Sequence, residues 1–246
     1  MLERIFNDKF QNYKNYNIPK AQLILSDVPY EVSTDFYASR PEWYKDRKIS
    51  KGYSEKANTP AFKSDTEAFD FGDFFSFCAT SLKDEPPKGE IGAPCIVLFC
   101  AFQQMPTAIH EAEKQGFKKY EPLVFCKNYS PQVLKANMKV VGATEYGLVF
   151  YRNKLPKFNG DGHMVFNWFE WKKDGKDIPR IHPTQKPMSV LKRIIEIYTD
   201  KDDVVVDPCA GSGSTIQAAK ELGRIGYGFE MDKEIFKKAE EVVWSI

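Results

Sequence analysis

The chain has 246 residues, of which 42% are hydrophobic and 28% are charged, and its formal net charge is +1. This profile predicts one soluble domain with a large core, and it excludes a basic surface that covers the whole molecule, so any nucleic-acid contact must be local. The five cysteines form no CxxC pair and no apolar run approaches the length of a membrane span, which argues against a disulfide framework, a zinc site and a membrane protein and favours the cytoplasm.

Short apolar runs alternate along the chain with helical patterns. The runs predict strands at 22–27, 95–100, 121–127, 146–152, 203–207 and 226–230. The intervening patterns predict helices at 66–82, 104–116, 186–200, 214–223 and 232–244. Continuously apolar strands separated by helices predict an α/β fold with a mostly parallel, doubly wound sheet, in a single domain over 1–246.

Two regions interrupt this alternation. The segment 31–65 is polar and broken by prolines and a glycine, which predicts an insertion or lid directly after the first strand. The segment 153–181 carries Trp168, Trp171 and a basic bias, which is equally typical of a nucleic-acid contact and of a solvated loop.

The run "VVVDPCAGSGST" ends a strand at Asp207 and continues through Gly211 and Gly213 into a helix that begins near Ser214. The next predicted strand ends at Glu230, about 23 residues after Asp207, which is the spacing of a ribose-binding acid in a βαβ nucleotide site. Glycines let backbone approach a ligand closely, and the N–H groups at a helix start face it. Without further motifs, a GxG pattern is as often an ordinary turn.

This loop is not a phosphate loop, because no lysine follows its second glycine and Asp207 would repel a pyrophosphate. A carboxylate at the strand end suits a ligand with a cationic end. S-adenosylmethionine fits, since it carries an ammonium and a sulfonium and has no phosphate. A dinucleotide oxidoreductase, the competing interpretation, would show a third glycine.

Further motifs complete a resemblance to a known family. "HPTQKP" at 182–187, a helix, "VVVDPCAGSGST" and "GYGFE" form a set that resembles the amino-DNA methyltransferases, which modify N6 of adenine or N4 of cytosine. "SDVPY" at 26–30 resembles the catalytic tetrapeptide of that family, and its place before the glycine loop resembles the circularly permuted β-class. "IFND" at 5–8 resembles the short acidic motif that precedes the catalytic strand. The resemblance implies a Rossmann-like class I methyltransferase fold.

The resemblance also implies roles for individual residues. The catalytic set would be Asp27, Val28, Pro29 and Tyr30. The cofactor set, for S-adenosylmethionine, would be Asp8, Asp207, Cys209, Ala210, Gly211, Ser212, Gly213, Ser214, Glu230, His182, Thr184 and Lys186. In that set Asp8 would contact the adenine amino group, Glu230 the ribose, and His182, Thr184 and Lys186 the methionine end. No metal is assigned, because no Cys/His spacing surrounds the histidines.

The tetrapeptide suits the chemistry. An exocyclic amino nitrogen is a poor nucleophile because its lone pair is delocalised into the ring, and two hydrogen-bond acceptors aimed at its N–H groups would draw that pair out. Asp27 supplies a carboxylate and the backbone carbonyl of Val28 can supply the second acceptor. Tyr30 offers a ring on which a flipped base can stack. On its own, a D-x-P-Y sequence is usually a turn.

The resemblance implies a site-specific DNA methyltransferase, with adenine N6 favoured because the tetrapeptide begins with Asp. Cytosine N4, an RNA substrate and a non-catalytic, cofactor-binding regulatory subunit stay open, the last because Val28 replaces a proline and Cys209 replaces an aromatic residue of the family pattern. The expected partner is DNA, double- or single-stranded. The two segments that would contact it, the insertion or lid at 31–65 and the target-recognition or DNA-contact segment at 153–181, are both small, which favours a short target or help from a second subunit in a homodimer. Local cations that could track a DNA backbone are Arg152, Lys154, Lys157, Lys172, Lys173, Lys176, Arg180, Lys186, Lys192 and Arg193.

Overall fold

The computed structural model describes residues 4–30, 68–128, 132–135, 140–160, 162–175, 178, 181 and 185–244. The predicted insertion at 31–65 lies outside these residues, as do His182 and Thr184.

The described residues form ten strands and five α-helices. The strands are β1 (Arg4–Phe6), β2 (Leu23–Asp27), β3 (Cys95–Phe99), β4 (Lys119–Lys127), β5 (Gln132–Lys135), β6 (Val140–Gly142), β7 (Thr144–Tyr151), β8 (Trp168–Trp171), β9 (Val204–Asp207) and β10 (Ile225–Phe229). The α-helices are α1 (Phe71–Ser81), α2 (Met105–Lys114), α3 (Met188–Tyr198), α4 (Ser214–Glu221) and α5 (Lys233–Trp244). Two 3₁₀ turns, Phe10–Asn15 and Phe102–Gln104, accompany them.

Within the described part of the chain, eight strands form one sheet in the order β1-β10-β9-β2-β3-β7-β4-β8. Neighbouring strands pair in parallel except at β7, which runs antiparallel to both β3 and β4. Strands β5 and β6 form a separate antiparallel pair. This mostly parallel sheet confirms the predicted fold class.

The central strands are buried on both faces, as their continuous apolar sequences predicted. Along β2, Ile24 packs into a core with α1 and α2, whereas Leu23 and Leu25 pack into a second core with α3 and α4. Because successive side chains of a strand point to opposite faces, a strand with no polar alternation must be covered twice. Helices therefore lie on both sides of the sheet.

Local sequence sets where the helices begin. The Asp70 carboxylate accepts a hydrogen bond from the Asp73 N–H and caps α1. The carboxylate of Asp174, which follows β8, accepts the N–H of Met188 at 3.0 Å and so caps α3 from a distant part of the chain. None of the helices in the described ranges is both long and apolar enough to cross a bilayer.

The predicted elements agree with the structure to within a few residues, apart from a five-residue delay at the start of α1. Strands β1, β5, β6 and β8 were not predicted, because each has only three or four residues and no run long enough to show a period. Strand β8 lies inside the segment interpreted as target recognition, and it forms one edge of the sheet through its pairing with β4.

Polar side chains lie together at the carboxyl end of the sheet. The parallel strands β2, β3, β9 and β10 all end there, and β9 is the direct neighbour of β2 although the two are far apart in the chain. Antiparallel β7 begins at the same end of the sheet, with Glu145 near its start. The carboxyl end of the strands is the expected place for a ligand in an open α/β sheet.

Candidate active site

The tetrapeptide at 27–30 leaves β2 in a conformation held from the next strand. The Val28 N–H donates to the carbonyl of Phe99 at 3.3 Å, which extends the pairing of β2 with β3 by one residue. The Gln104 amide donates to the Pro29 carbonyl at 2.9 Å, and its oxygen accepts the Ala101 N–H at 3.0 Å. The buried Gln104 side chain therefore fixes the loop after β3 to the tetrapeptide, a role that no sequence pattern indicated.

The two oxygens of the Asp27 carboxylate differ in their hydrogen-bond partners. Its Oδ2 accepts a charge-assisted bond from the Lys186 ammonium at 2.6 Å. Its Oδ1 is buried, and no hydrogen-bond partner for it is present in the described part of the chain. Burial raises the pKa of Asp27, which Lys186 opposes and Glu145 reinforces. A buried carboxylate oxygen without a donor is costly, so this atom marks where a ligand N–H would be accepted.

Lys186 lies at the centre of a small ion network. Its ammonium contacts Glu145 Oε2 at 3.2 Å as well as Asp27, and it lies 3.5 Å from the Tyr30 hydroxyl. The other oxygen of Glu145 is bonded by the Lys127 ammonium. Burial by itself lowers the pKa of Lys186, but the two carboxylates more than offset it and raise that pKa above its ordinary value. Burial likewise raises the pKa of Glu145, and the two lysines reverse that effect and leave it lowered.

Sequence reasoning placed Lys186 at the methionine end of a cofactor; the structure places its ammonium on Asp27 and Glu145. The acid and base that complete the network, Glu145 and Lys127, were missed. They lie on β7 and β4, predicted strands to which the sequence assigned no site residue. Only the antiparallel insertion of β7 beside β3 brings them next to the tetrapeptide.

The glycine loop adjoins this network through one hydroxyl. Asp207 ends β9 and is only 2% exposed, and its Oδ1 accepts bonds from the Ser26 hydroxyl and the Cys209 N–H, both at 3.0 Å. Burial raises the pKa of Asp207 to about 7, against the opposing hydrogen bonds of Thr215, Cys209 and Ser26. Because Ser26 directly precedes Asp27, the two acids are linked across neighbouring strands.

The backbone of the loop requires its glycines. Gly211 has φ +51° and Gly213 has φ +76°, in the left-handed region that favours glycine. A Cβ at Gly213 would lie 2.8 Å from side-chain atoms of Ile5 and Val243, whereas one at Gly211 would meet only the Cys209 carbonyl at 4.0 Å. Open space therefore borders Gly211, and packing surrounds Gly213. The Ala210 N–H donates to the Phe229 carbonyl, which joins the loop to β10.

The remaining positions of the glycine loop also lie at the carboxyl end of the sheet. The hydroxyls of Ser212 and Ser214 share a hydrogen bond of 2.7 Å at the start of α4. Cys209 is half-buried, and burial raises the pKa of its thiol. His182 and Thr184, the other two members of the predicted cofactor set in "HPTQKP", lie outside the described residues.

Glu230 and Asp8 lie side by side at the ends of β10 and β1. Glu230 accepts the Gly211 N–H through Oε2 at 3.0 Å and the Asp232 N–H through Oε1 at 2.7 Å, so it closes the glycine loop. Burial raises the pKa of Glu230 and these backbone bonds oppose the rise. Parallel pairing of β1 with β10 brings Asp8 to the same corner, where it accepts bonds from Asn12 and Tyr16. The hydrogen bond from the Tyr16 hydroxyl lowers the pKa of Asp8.

Many of the cations proposed for DNA contact are paired within the chain. Acidic side chains neutralise Lys157, Lys172 and Lys192, through Asp200, Glu170 and Glu221 respectively. The Arg152 guanidinium donates to the Ala79 carbonyl and lies 4.8 Å from the Phe117 ring. Lys176 and Arg180 lie outside the described residues. Pairing with neighbouring acids therefore neutralises some of these cations, which the linear sequence did not reveal.

The arrangement can hold a ligand with a cationic end beside Asp207, a ribose beside Glu230, and an amino group against Asp27. Known protein structures share this fold. The chain superposes on the crystal structure of M1.HpyAVI with a TM-score of 0.66 and 20% identity, covering 99% of both chains, and on that of its S-adenosylmethionine complex with a TM-score of 0.63. The PvuII DNA methyltransferase, which is cytosine-N4-specific, gives a TM-score of 0.63 with 17% identity over 98% of this chain and 86% of its own.

Sequence comparison gives relatives at higher identity. The DNA adenine methyltransferase YhdJ of Escherichia coli K12 is 31% identical over 141 residues, which is 52% of this chain and 45% of YhdJ. Several others are named type II methyltransferases. The matched segments span from 19% to 60% of the length of the first three curated relatives. Residues 21–241 match the N6/N4 methyltransferase family, described as DNA methylase. Since that match spans nearly the whole chain and the fold agrees with it, the chain belongs to the N6/N4 DNA methylase family.

Proposed function

We propose that this protein transfers a methyl group from S-adenosylmethionine to the exocyclic amino group of a flipped base in DNA, with adenine N6 as the favoured target. The observation that carries the proposal is Oδ1 of Asp27 at the end of β2, which is buried, has no hydrogen-bond partner among the described residues, and lies next to the glycine loop of β9. An enzyme of this kind needs an amino-group acceptor and a cofactor site in direct contact, and Ser26 joins the two.

The residues of the loop fit the cofactor. Asp207 and the open backbone at Gly211 would hold its cationic methionine part, and Glu230 would accept the ribose hydroxyls in addition to its backbone bonds. Asp8 would lie at the adenine end. When bound, S-adenosylmethionine supplies an electrophilic methyl group on a sulfonium.

The chain itself prepares the target nitrogen. Asp27 Oδ1 would accept one amino N–H and the Val28 carbonyl the other, so that the nitrogen lone pair is drawn out of the ring. Tyr30 would stack on the base. The bond from Gln104 to the Pro29 carbonyl holds this turn in place before the base arrives, which is the preorganisation such catalysis requires.

Adenine is favoured because the tetrapeptide begins with Asp, and the sequence relative YhdJ is named an adenine methyltransferase. Cytosine N4 is the second candidate, since the structural likeness to the PvuII enzyme is nearly as high as that to M1.HpyAVI. A role beside a restriction enzyme follows from the relatives named type II methyltransferases. Contact with DNA through 153–181, and a homodimer, stay predictions.

The experiment replaces Asp27 by Ala and measures the transfer of labelled methyl to unmethylated, mixed-sequence DNA, followed by nucleoside analysis. We expect a loss of about 10²–10³-fold or more, because one of two positioned acceptors is removed, with the fold and cofactor affinity retained. If the DNA methylated by the parent contains N6-methyldeoxyadenosine, adenine is the target; if it contains N4-methyldeoxycytidine, cytosine is the target.

The matched control is Asp84→Ala, which changes an exposed aspartate in the loop after α1 and should leave the rate unchanged. A parent that transfers no methyl while binding S-adenosylmethionine would instead support a regulatory subunit. Near-parental transfer by Asp27→Ala would mean that 26–30 is only a turn.

A further inference from the structure

Lys186 is more deeply buried than its place before a helix suggested. Its side chain is only 6% exposed, and its ammonium lies between 5.2 and 5.6 Å from the ring centroids of Tyr30, Phe99 and Trp171. A lysine in such surroundings requires anionic partners, and Asp27 and Glu145 provide them.

The ammonium makes its contacts with the residues around the tetrapeptide. Its shortest contact is with Asp27 Oδ2 at 2.6 Å, followed by Glu145 Oε2 at 3.2 Å and the Tyr30 hydroxyl at 3.5 Å. An ammonium is a donor only, so it is attracted to these oxygens and to Asp27 most directly. These contacts favour a function for Lys186 on the base side of the site.

The position of Lys186 is fixed from outside the pocket. It precedes Pro187 and the first turn of α3, where Asp174 binds the Met188 N–H. Glu145 is fixed as well, because Lys127 bonds its second oxygen. The start of α3 therefore holds the backbone next to Lys186, and the β4–β7 pair holds the carboxylate of Glu145 that its ammonium contacts.

We propose that Lys186 and Glu145 are positioning residues for the reaction: Lys186 occupies Oδ2 of Asp27, so that Oδ1 alone is presented to the amino group of the target base, and Glu145 keeps Lys186 there. This inference rests on the proposed function. It accounts for the difference between the two oxygens of the carboxylate: one is bonded at short distance, and the other is buried with no partner in the part of the chain that the structure describes. It also selects the single orientation of Asp27 in which a base can be accepted.

The arrangement predicts opposite effects of the two partners on the titration of Asp27. Removing the ammonium leaves Asp27 buried beside an acid, so its pKa should rise; neutralising Glu145 removes a repelling charge, so the pKa should fall. The titratable and charged groups that face Asp27 are Lys186 before α3, Glu145 on β7, Lys127 behind it on β4, Cys100 after β3, Asp207 and Cys209 at the end of β9, and Tyr30.

The test compares Lys186→Met, Lys186→Arg and Glu145→Gln in the full chain. The first measurement is the pH profile of kcat/KM for methyl transfer to mixed-sequence DNA. Lys186→Met should lower kcat by about 10²-fold, the cost of a slightly misplaced group, and move the acid limb to higher pH. Lys186→Arg should recover part of the rate, and Glu145→Gln should move the limb to lower pH. In all three variants the Kd for the cofactor, measured by calorimetry, should stay within about threefold of the parent value, which is less than 1 kcal/mol of binding free energy.

The second measurement needs neither cofactor nor DNA. Carbon-13 NMR follows the Asp27 carboxyl during titration of the apo protein, with the signal assigned by Asp27→Asn. The control is Lys114→Met, which removes a lysine that also pairs with a carboxylate, Glu111, but on the surface of α2. It should shift neither the pH profile nor the Asp27 signal.

The two measurements separate the two hypotheses. A parent that transfers no methyl to any DNA overturns the proposed function, and the apo titration still decides the inference. Opposite shifts of the Asp27 midpoint in Lys186→Met and Glu145→Gln support it, and unchanged midpoints overturn it. Should Lys186→Met fail to fold, Glu145→Gln decides: a lower Asp27 midpoint supports the inference and an unchanged midpoint overturns it. Lys186→Arg keeps the positive charge, so its midpoint should stay near that of the parent. A large loss of cofactor affinity in Lys186→Arg with a near-parental kcat would return Lys186 to the cofactor side and overturn the inference.

Discussion

Tyr30 carries two groups with separate functions in the site. Its ring lies 5.2 Å from the Lys186 ammonium and would stack on the base, while its hydroxyl donates to Glu145 Oε2 at 3.2 Å. Burial is the first cause that raises the pKa of this hydroxyl, and Asp27 and Glu145 add to it, so the hydroxyl stays protonated as a donor.

We predict that Tyr30→Ala is severe and Tyr30→Phe is mild. Loss of the ring removes stacking of about 1–3 kcal/mol, or roughly 5- to 150-fold. Loss of the hydroxyl removes one long hydrogen bond from Glu145, which keeps Lys127 and Lys186, so the expected loss is below about tenfold. Values of kcat/KM for methyl transfer give the comparison, and equal losses in both variants would show that the ring does not stack on the substrate.

The glycine loop is the element whose backbone is most constrained. Gly211 and Gly213 share a positive φ, but only Gly213 is enclosed, by Ile5 of β1 and Val243 of α5. The loop therefore joins the proposed cofactor site to the packing of β1 and α5. Substituting the two glycines in turn separates the cost of a positive φ, which both share, from the cost of steric clashes, which only Gly213 has.

We predict that Gly213→Ala destabilises the protein more than Gly211→Ala. Both substitutions impose strain of about 1 kcal/mol or more, and Gly213→Ala adds contacts at 2.8 Å that require β1 or α5 to shift. The difference should be about 1–3 kcal/mol, the usual cost of overpacking. Urea unfolding measures it. Gly89→Ala is the control, since Gly89 has φ +94° with no atom within 4 Å of an added Cβ. If Gly213→Ala is no more destabilising than Gly89→Ala, the enclosure of Gly213 is unimportant for stability.

At the scale of the whole molecule, folding places an acid in a position that disfavours its charge. Asp207 is almost fully buried, and its pKa rises from 3.8 to about 7. Between these two values the native state keeps a proton that the unfolded chain has released. Stability is therefore fully present below the lower value and declines as pH rises toward the upper one.

We predict that the parent loses free energy of unfolding between pH 5 and pH 8, and that Asp207→Asn loses less. The amide is neutral at every pH, so it removes this contribution while keeping an oxygen that can accept from Ser26. Urea unfolding of the cofactor-free protein at the two pH values provides the measurement. Identical pH dependence in the two proteins would show that Asp207 is already ionised in the native state at pH 5.

Local pattern by itself predicted most of the framework. The buried strands β2, β3, β9 and β10 were predicted because they are continuously apolar, and a strand covered on both faces shows that directly in its sequence. The glycine loop between Asp207 and Glu230 was predicted because its backbone needs glycine at particular positions, and the spacing of those glycines is visible in the sequence. The family resemblance placed Asp27 and Tyr30 in one turn.

Only the tertiary structure decided which side chains complete the site. Glu145 and Lys127 lie on strands to which the sequence assigned no site residue, and they reach Asp27 because β7 enters the sheet in the opposite direction to its neighbours. Lys186 shares its hydrogen bonds with acids that are remote in the chain, so the linear sequence could not distinguish a base-side role from a cofactor-side one. Ion pairs are a second example. The sequence after β7 has more basic than acidic residues, but which of these cations pair with acids depends on distances that only folding sets.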